Sequence, residues 1–209
     1  AELMLFLLLA GFAQPVSADQ HIQTYTCNQI VGIPPDECQV LQTLFDSTNG
    51  ANWANTSGLW FETTLPANWY GVTVFDGRVQ AIELLANDLN GTIPSDLGNL
   101  TELVRLNLYD NQLSGAVPAS LGLLTKLEFL DLGKNQLSGS VPAELGNLSL
   151  LDTFSLEFNQ LTGALPSELG NMSALFQVYL NDNQFSGSIP ASFGNWSQPV
   201  PIAGTEAGS

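Results

Sequence analysis

Apolar and polar positions in this chain repeat with a period of 24 residues from about Val79 to Trp196. One copy of the pattern consists of Leu127, Leu130, Leu132, Asn135, Leu137, Gly139, Val141, Pro142, Leu145, Gly146 and Leu148. A fixed period of this length is typical of a solenoid, in which each repeat buries its apolar side against its neighbours. Solenoids need about three repeats for stability, and five copies occur here in register.

Three polar or special residues recur once in every repeat. They are Asn87, Asn111, Asn135, Asn159 and Asn183; Gly91, Gly115, Gly139, Gly163 and Gly187; and Pro94, Pro118, Pro142, Pro166 and Pro190. An asparagine amide can both donate and accept, so a stack of five can satisfy backbone groups of adjacent turns. Glycine permits a backbone geometry or close approach that a Cβ blocks, and proline removes a donor that would lack a partner. We therefore expect Asn111→Ala or Gly139→Val to damage the fold.

The consensus L-x-x-L-x-L-x-x-N-x-L-x-G-x-I-P-x-x-L-G-x-L resembles the leucine-rich-repeat family, and its G-x-I-P stretch resembles the plant-type subclass. That subclass occurs in exported bacterial and algal proteins and in plant receptor ectodomains. The resemblance covers about Asp36 to Trp196. It implies an α/β solenoid that is right-handed, with short parallel strands on the concave face and a helical N-terminal cap. It also implies that ligands dock on the concave face.

The residues before the first repeat predict an amphipathic cap. Asp36 is the expected N-cap of a helix, Gln39 its capping-box partner, and Asn49-Gly50 its end. We expect three tryptophans to fill the cap core, namely Trp53, Trp60 and Trp69.

The stretch before the first repeat also resembles the family's cap motif, C-x-W-x-G-V-x-C. Ala67 and Val74 stand at the two cysteine positions of that motif, so this cap holds by packing. Cys27 and Cys38 are the only cysteines, and an even count in an exported chain predicts a disulfide worth roughly 2–3 kcal/mol. The segment Thr48–Trp53 resembles caps of bacterial and algal repeat proteins. Together with the departure from the cap motif, this resemblance favours a microbial source.

The chain divides into four predicted segments. Residues 1–18 are predicted to be a signal peptide truncated at its start, with an apolar run over Leu3–Phe12 and small residues before Asp19. Residues 19–78 form the arm and cap, 79–196 the five repeats, and 197–209 a linker or ragged end. The apolar run is too short for a transmembrane helix, so we expect no membrane insertion after signal removal. The protein is thus expected to be secreted or on the cell surface, in the extracellular or periplasmic space.

The chain is strongly acidic, with 4 Lys+Arg against 20 Asp+Glu and a formal net charge of -16. This charge argues against nucleic acids and anionic membranes as partners, because both are polyanions. It favours cationic partners, divalent ions or simple solubility. A calcium site is not expected, because no D-x-D-x-D-G loop is present. Glu83 and Asp131 also lie roughly 9–10 Å apart by strand spacing, too far to share one ion.

Catalytic motifs are missing from the sequence. His21 is the only histidine, and we find no nucleophile elbow, no Gly-rich phosphate loop and no H-E-x-x-H. We therefore predict that the protein is not an enzyme and has neither a cofactor nor a bound metal.

Function must then reside in positions that vary between repeats. Four columns flank the strand leucines: Ala81, Arg105, Phe129, Thr153 and Gln177; Glu83, Asn107, Asp131, Ser155 and Tyr179; Leu85, Tyr109, Gly133, Glu157 and Asn181; and Ala86, Asp110, Lys134, Phe158 and Asp182. By position, the resemblance implies ligand binding by Arg105, Asn107, Tyr109, Phe129, Asp131, Glu157, Phe158 and Tyr179.

We expect a non-catalytic extracellular recognition module that binds a protein or peptide on this face. Exposed aromatics on a rigid sheet are typical of recognition surfaces. One alternative is a structural spacer or sensor ectodomain of a longer surface protein. The other is an adhesin for polysaccharide, or even ice, with a glycan or solid surface as partner. An adhesin predicts flat repeated polar columns, and the four columns above are irregular.

Overall fold

The computed structural model describes residues 25–55 and 60–196. The predicted signal peptide (1–18) and the predicted C-terminal linker (197–209) lie outside these residues. Helix α1, Pro35–Ser47, begins two residues before the position that Asp36 as N-cap would give. Pro34 is the N-cap and makes no side-chain cap bond, so the predicted capping box is wrong. Pro35 explains the earlier start, because its fixed φ suits the first helical position, where no N–H partner is needed.

The cap core is aromatic, as predicted. Trp53, Trp60 and Trp69 are buried together with Phe61, and the Phe61 and Trp69 ring centroids are 4.5 Å apart. Each indole N–H donates to a backbone carbonyl, which satisfies its polar atom inside the core. The predicted Cys27–Cys38 disulfide is confirmed, with the two Cα atoms 5.5 Å apart.

A buried carboxylate joins the cap to the first repeat. Glu37 on α1 is 1% exposed, yet its two oxygens accept bonds from the Arg78 guanidinium and from the backbone N–H of Val79. A buried charge is tolerated only when it is paired and hydrogen-bonded in this way.

The repeats build a six-stranded sheet whose strands stack in chain order. The strands are β1 (Val72–Phe75), β2 (Arg78–Glu83), β4 (Arg105–Asn107), β6 (Phe129–Asp131), β8 (Thr153–Ser155) and β10 (Gln177–Tyr179). Strand β1 is antiparallel to β2, and every later pair is parallel. Paired residues lie one 24-residue period apart, as Ala81 with Arg105 shows. This register agrees with the 24-residue period of the sequence.

A second, five-stranded parallel sheet lies on another side of the solenoid, and the sequence analysis did not anticipate it. Its strands are β3 (Asn90–Thr92), β5 (Gln112–Ala116), β7 (Gln136–Gly139), β9 (Gln160–Gly163) and β11 (Gln184–Phe185). Between this sheet and the next turn of the first sheet runs a short 3₁₀ helix, which the repeated proline precedes. Seven 3₁₀ helices occur in the described residues: Gly50–Asn52, Pro66–Asn68, Ser95–Asn99, Ala119–Leu123, Ala143–Asn147, Ser167–Asn171 and Ala191–Asn195.

The repeated asparagines connect adjacent turns through hydrogen bonds that are partly or fully buried. The Asn111 amide nitrogen donates to the carbonyls of Leu84, Leu108 and Tyr109 at 2.9, 2.9 and 3.2 Å. Its oxygen accepts from the backbone N–H of Asn87 and of Leu89, both at 3.0 Å. Asn135, Asn159 and Asn183 repeat the three-carbonyl pattern.

Two sets of glycines serve different purposes. Gly139 has φ +80°, and only Ala116 Cβ lies near its missing side chain, at 3.9 Å. The damage expected from Gly139→Val therefore comes from the left-handed backbone and not from crowding. At Gly122, by contrast, a Cβ would lie 2.3 Å from the Glu144 carbonyl oxygen, so successive 3₁₀ helices stack without room for a side chain.

The last described turn covers part of its own apolar edge. Phe193 and Trp196 are buried and stacked, with ring centroids 4.2 Å apart. The Trp196 indole N–H donates to the Leu169 carbonyl at 3.1 Å, which ties this end to the preceding repeat.

We predict that Asn111→Ala lowers the free energy of unfolding by about 3 kcal/mol or more, because several buried backbone groups lose their only partner. Urea denaturation monitored by circular dichroism would measure the change. The control is Gln136→Ala, an exposed position one residue past the next ladder asparagine, which should stay within about 0.5 kcal/mol. Equal stability of the two variants would contradict a structural role for the ladder.

Candidate functional site

The candidate site is the outward face of the six-stranded sheet. Its first two columns lie on the strands and flank the buried central residues Ile82, Leu106, Leu130, Phe154 and Val178. The third and fourth columns follow the strands, in the turn that leads to each ladder asparagine. Every fourth-column residue has a left-handed backbone, with φ between 48° and 57°: Ala86, Asp110, Lys134, Phe158 and Asp182.

Exposure divides the predicted binding residues. Phe158 is 47% and Tyr179 38% exposed, and Arg105 is also exposed. The others are half-buried: Asn107, Tyr109, Phe129, Asp131 and Glu157. Several unselected column members are buried, namely Ala81, Gly133, Thr153 and Ser155, so the middle of the face is closely packed.

Arg105 and Phe129 already have partners within the face. The Arg105 guanidinium lies 4.3 Å from the Phe129 ring centroid, and its Nε is 3.3 Å from Glu83 Oε1. A cation above the ring face is a favourable arrangement. A ligand that contacts the Phe129 ring must therefore share the ring with the Arg105 guanidinium or displace the guanidinium.

Asn107 and Asp131 occupy the same position in successive repeats and form the same turn. Asn107 Oδ1 accepts from the Tyr109 N–H at 3.1 Å, and Asp131 Oδ1 accepts from the Gly133 N–H at 2.9 Å. This local bond is typical of Asn and Asp in turns. At Asn107 the bond fixes the backbone that carries Tyr109. The sequence columns alone do not reveal this role of Asn107.

Side chains from three repeats converge above Gly133. A Cβ at this glycine would lie 2.9 Å from Ser155 Oγ, 3.0 Å from the Tyr109 ring and 3.2 Å from Asp131 Oδ1. The missing side chain thus lets Tyr109 lie across the next repeat, beside the carboxylate. Gly133 was not among the predicted binding residues, although a single glycine in a column of larger side chains was a visible signal.

Asp131 is an acid without an ion-pair partner in the described part of the chain. Burial raises the pKa of its carboxyl, and the Gly133 N–H and nearby Ser155 hydroxyl oppose the shift. Ser155 itself is 2% exposed, and its hydroxyl has no partner within hydrogen-bond geometry. The face therefore retains a carboxylate that its surroundings do not fully compensate.

All four basic residues of the chain are already paired with acids. The pairs are Arg78 with Glu37, Arg105 with Glu83, Lys126 with Glu102, and Lys134 with Asp110. Among residues 25–55 and 60–196, no group of three or more His, Cys, Asp or Glu side chains is placed to hold a metal ion. Nor does any helix there have the length and apolarity to cross a membrane.

We predict that Asp131→Asn raises the free energy of unfolding at neutral pH. A carboxyl group with a raised pKa in the folded state binds its proton more tightly there than in the unfolded chain. Its charged form therefore lowers the stability of the fold at pH values above that pKa. The gain should disappear as the pH falls well below 3.8, the ordinary Asp value. Urea denaturation between pH 3 and pH 7 would test this, with the exposed Glu144→Gln as the control; lower stability at pH 7 would contradict it.

Comparison with known proteins identifies the repeat. The family model described as Leucine Rich Repeat matches residues 102–124, 126–148, 150–172 and 174–196, which are the last four of the five turns. A search of curated proteins gives no significant match.

Three similar solved structures are of plant proteins. The LRR ectodomain of the receptor kinase SOBIR1 from Arabidopsis thaliana is 30% identical with a TM-score of 0.66, over 78% of this chain and 90% of that one. The Arabidopsis receptor kinase HAESA, solved with the peptide hormone IDA and the co-receptor SERK1, is 26% identical with a TM-score of 0.58, over 80% of this chain and 33% of that one.

A plant ice-binding protein is 26% identical with a TM-score of 0.57, over 79% of this chain and 62% of that one. The chain thus spans nearly all of the SOBIR1 chain but only about a third of HAESA. The similarities to a receptor ectodomain and to an ice-binding protein agree with the prediction of a non-catalytic chain. The register of the strands, the family match and the likeness to SOBIR1 together show that this chain belongs to the leucine-rich-repeat family.

Proposed function

We propose that the chain is an extracellular recognition module that binds a protein or peptide on the concave face of its six-stranded sheet. The observation that carries the proposal is a set of aromatic side chains on the outward side of that sheet. Tyr109, Phe158 and Tyr179 come from the second, fourth and fifth repeats. Large aromatic side chains supply much of the binding energy at protein interfaces.

The aromatic residues are held in place before any ligand arrives. Tyr109 lies against Gly133, and its backbone N–H is held by Asn107. The Phe158 N–H donates to the Asn181 carbonyl of the next repeat at 3.0 Å. Because little backbone freedom remains to be lost on binding, more of the contact energy contributes to affinity.

The receptor similarities support the class of ligand. HAESA was solved with a peptide hormone and a co-receptor, and SOBIR1 is a receptor kinase, so related solenoids present this fold to partners outside the cell. The Cys27–Cys38 disulfide is consistent with that compartment, since disulfides persist in oxidising environments.

We predict that alanine at Tyr109, Phe129 and Phe158 together abolishes capture of a partner from the protein's native extracellular medium. Immobilised wild-type and triple-variant chains would be compared by affinity capture and mass spectrometry. The loss should be at least about tenfold, since hot-spot truncations cost 2 kcal/mol or more. A second triple variant on the 3₁₀-helix side, with alanine at Leu123, Glu144 and Glu168, is the control. Identical recovery on all three baits would sink the proposal.

A second candidate function, binding to ice, is favoured by the second sheet. Unlike the concave columns, the positions on and just after its last four strands repeat regularly and are uncharged; the first repeat departs, with Asp88 at the position of the glutamines. They are glutamines (Gln112, Gln136, Gln160 and Gln184), hydroxyls (Ser114, Ser138, Thr162 and Ser186) and small residues (Ala116, Ser140, Ala164 and Ser188). The irregular concave columns argue against a surface adhesin, but this sheet offers the regularly repeated columns that such a role requires. One relative is an ice-binding protein.

We predict that, if this candidate holds, a slowly growing ice hemisphere incorporates the chain and excludes Ser138→Lys/Thr162→Lys. Two long cations would break the repeat without touching the concave face. Protein in the ice and in the remaining liquid would be quantified by absorbance. Exclusion of the wild-type chain to the same extent as serum albumin would remove ice from consideration.

A further inference from the structure

The concave face contains a group of hydrogen-bond acceptors, two of which receive no donor. We define the acceptor patch as Asp131, Ser155, Glu157 and Asn181, which lie on three successive repeats. Ser155 pairs with Asp131 in the parallel register, and Glu157 and Asn181 hold the same position in adjacent repeats. The Asp131 and Ser155 oxygens converge above Gly133, as described above.

Two buried oxygens of the patch receive no hydrogen bond. The Ser155 hydroxyl lies beside the Asp131 carboxylate, but no donor reaches its oxygen or Asn181 Oδ1, although the Asn181 amide nitrogen donates to Asp182 at 2.7 Å. A buried polar atom left unpaired costs free energy that a suitable ligand group would recover. Neither oxygen belongs to a carboxylate, and each can accept a hydrogen bond from a ligand.

Lys134 and Arg105, the basic residues of this face, are paired with acids outside the patch. Lys134 Nζ is 2.7 Å from Asp110 Oδ2, and Arg105 pairs with Glu83. Glu157, like Asp131, has no ion pair among the residues that the structure describes. The patch therefore combines two carboxylates that have no ion pair with two oxygens that receive no hydrogen bond, and the Tyr109 ring lies beside Asp131.

We propose that the acceptor patch is the anchor for a cationic side chain, lysine or arginine, of the peptide or protein that the concave face binds. This inference rests on the proposed function and specifies the chemistry of the partner. An ammonium or guanidinium group supplies several donors and no acceptor, which complements a patch of oxygens. The Tyr109 ring adds a face for a cation, and the net charge of -16 attracts such a segment from solution.

The choice of aspartate at position 131 agrees with this role. Asparagine fills the equivalent position in the preceding repeat, where Asn107 makes the same turn bond. Asparagine at position 131 would keep the turn and avoid a half-buried charge. The aspartate instead keeps a charge that no basic residue of the described chain pairs with.

The test uses small probes that differ by one charge. The full chain, labelled with ¹⁵N, is titrated with N-acetyl-lysine methylamide, its arginine counterpart and the norleucine compound, which has a similar stem but no amine. The cationic probes should shift the Gly133, Glu157 and Asn181 amide signals saturably, and norleucine should not. Equal shifts from lysine and norleucine would overturn the proposal, as would equal shifts from calcium chloride in place of the probes.

Two single substitutions distinguish a specific anchor from attraction by the negative net charge of the chain. Asp131→Asn should weaken binding of the cationic probes by about tenfold or more, because it removes one partner of a charge pair. Glu144→Gln removes the same charge from the exposed Ala143–Asn147 helix and should change binding by less than about twofold. Unchanged amide signals away from the site would show that Asp131→Asn is folded. Equal loss in the two variants would mean nonspecific attraction and overturn the anchor.

The anchor and the proposed function can fail separately. In the capture experiment, Asp131→Asn is added as a further bait. Capture lost by the aromatic variant but kept in full by Asp131→Asn would overturn the anchor and leave the recognition module intact. Capture kept by every bait would overturn both.

Discussion

The asparagine ladder is the constraint on which the rest of the structure depends. A solenoid turn leaves backbone donors and acceptors inside the protein where it bends out of the sheet, and no regular strand or helix pairs them. Each ladder side chain satisfies several of these groups, and it does so across the junction between repeats. Asn87, in the first repeat, lacks a preceding repeat, and its amide nitrogen has no partner. Every bond that a ladder side chain makes between repeats runs to the repeat before it, so the cap must take that place for the first turn. There the Asn55 N–H donates to Asn87 Oδ1, and the Glu37–Arg78 contact adds a second link.

Periodic features of the fold could be predicted because they repeat five times. The strand register, the buried leucines, the glycines at positive φ and the aromatic cap core all follow from spacing and composition. The helix start could not be placed, because Pro35 and Asp36 are both favourable near a helix N-terminus and the backbone selected the proline. The second sheet was missed because its strands are only two to five residues long and include glycine, which gives little strand signal.

The candidate face was predictable as a set of columns but not as a site. Side-chain alternation places Arg105 and Asp131 outward, yet it does not show that Arg105 is occupied and Asp131 is not. That difference depends on contacts between repeats, such as Tyr109 resting on Gly133, that no single repeat encodes. Two faces of the same solenoid consequently have opposite character: one is irregular and charged, and the other is regular and neutral.

The ladder bonds also restrict how the chain can change length. Each asparagine reaches backbone groups 22 and 27 residues away, so one residue gained or lost between two ladder positions would misalign every bond across that junction. Gain or loss of a whole 24-residue unit would preserve all of them. The outward columns make no such demand, since their side chains carry few of the bonds between turns. Such proteins can therefore gain whole repeats by duplication, or exchange outward side chains by point substitution, while the scaffold beneath stays the same.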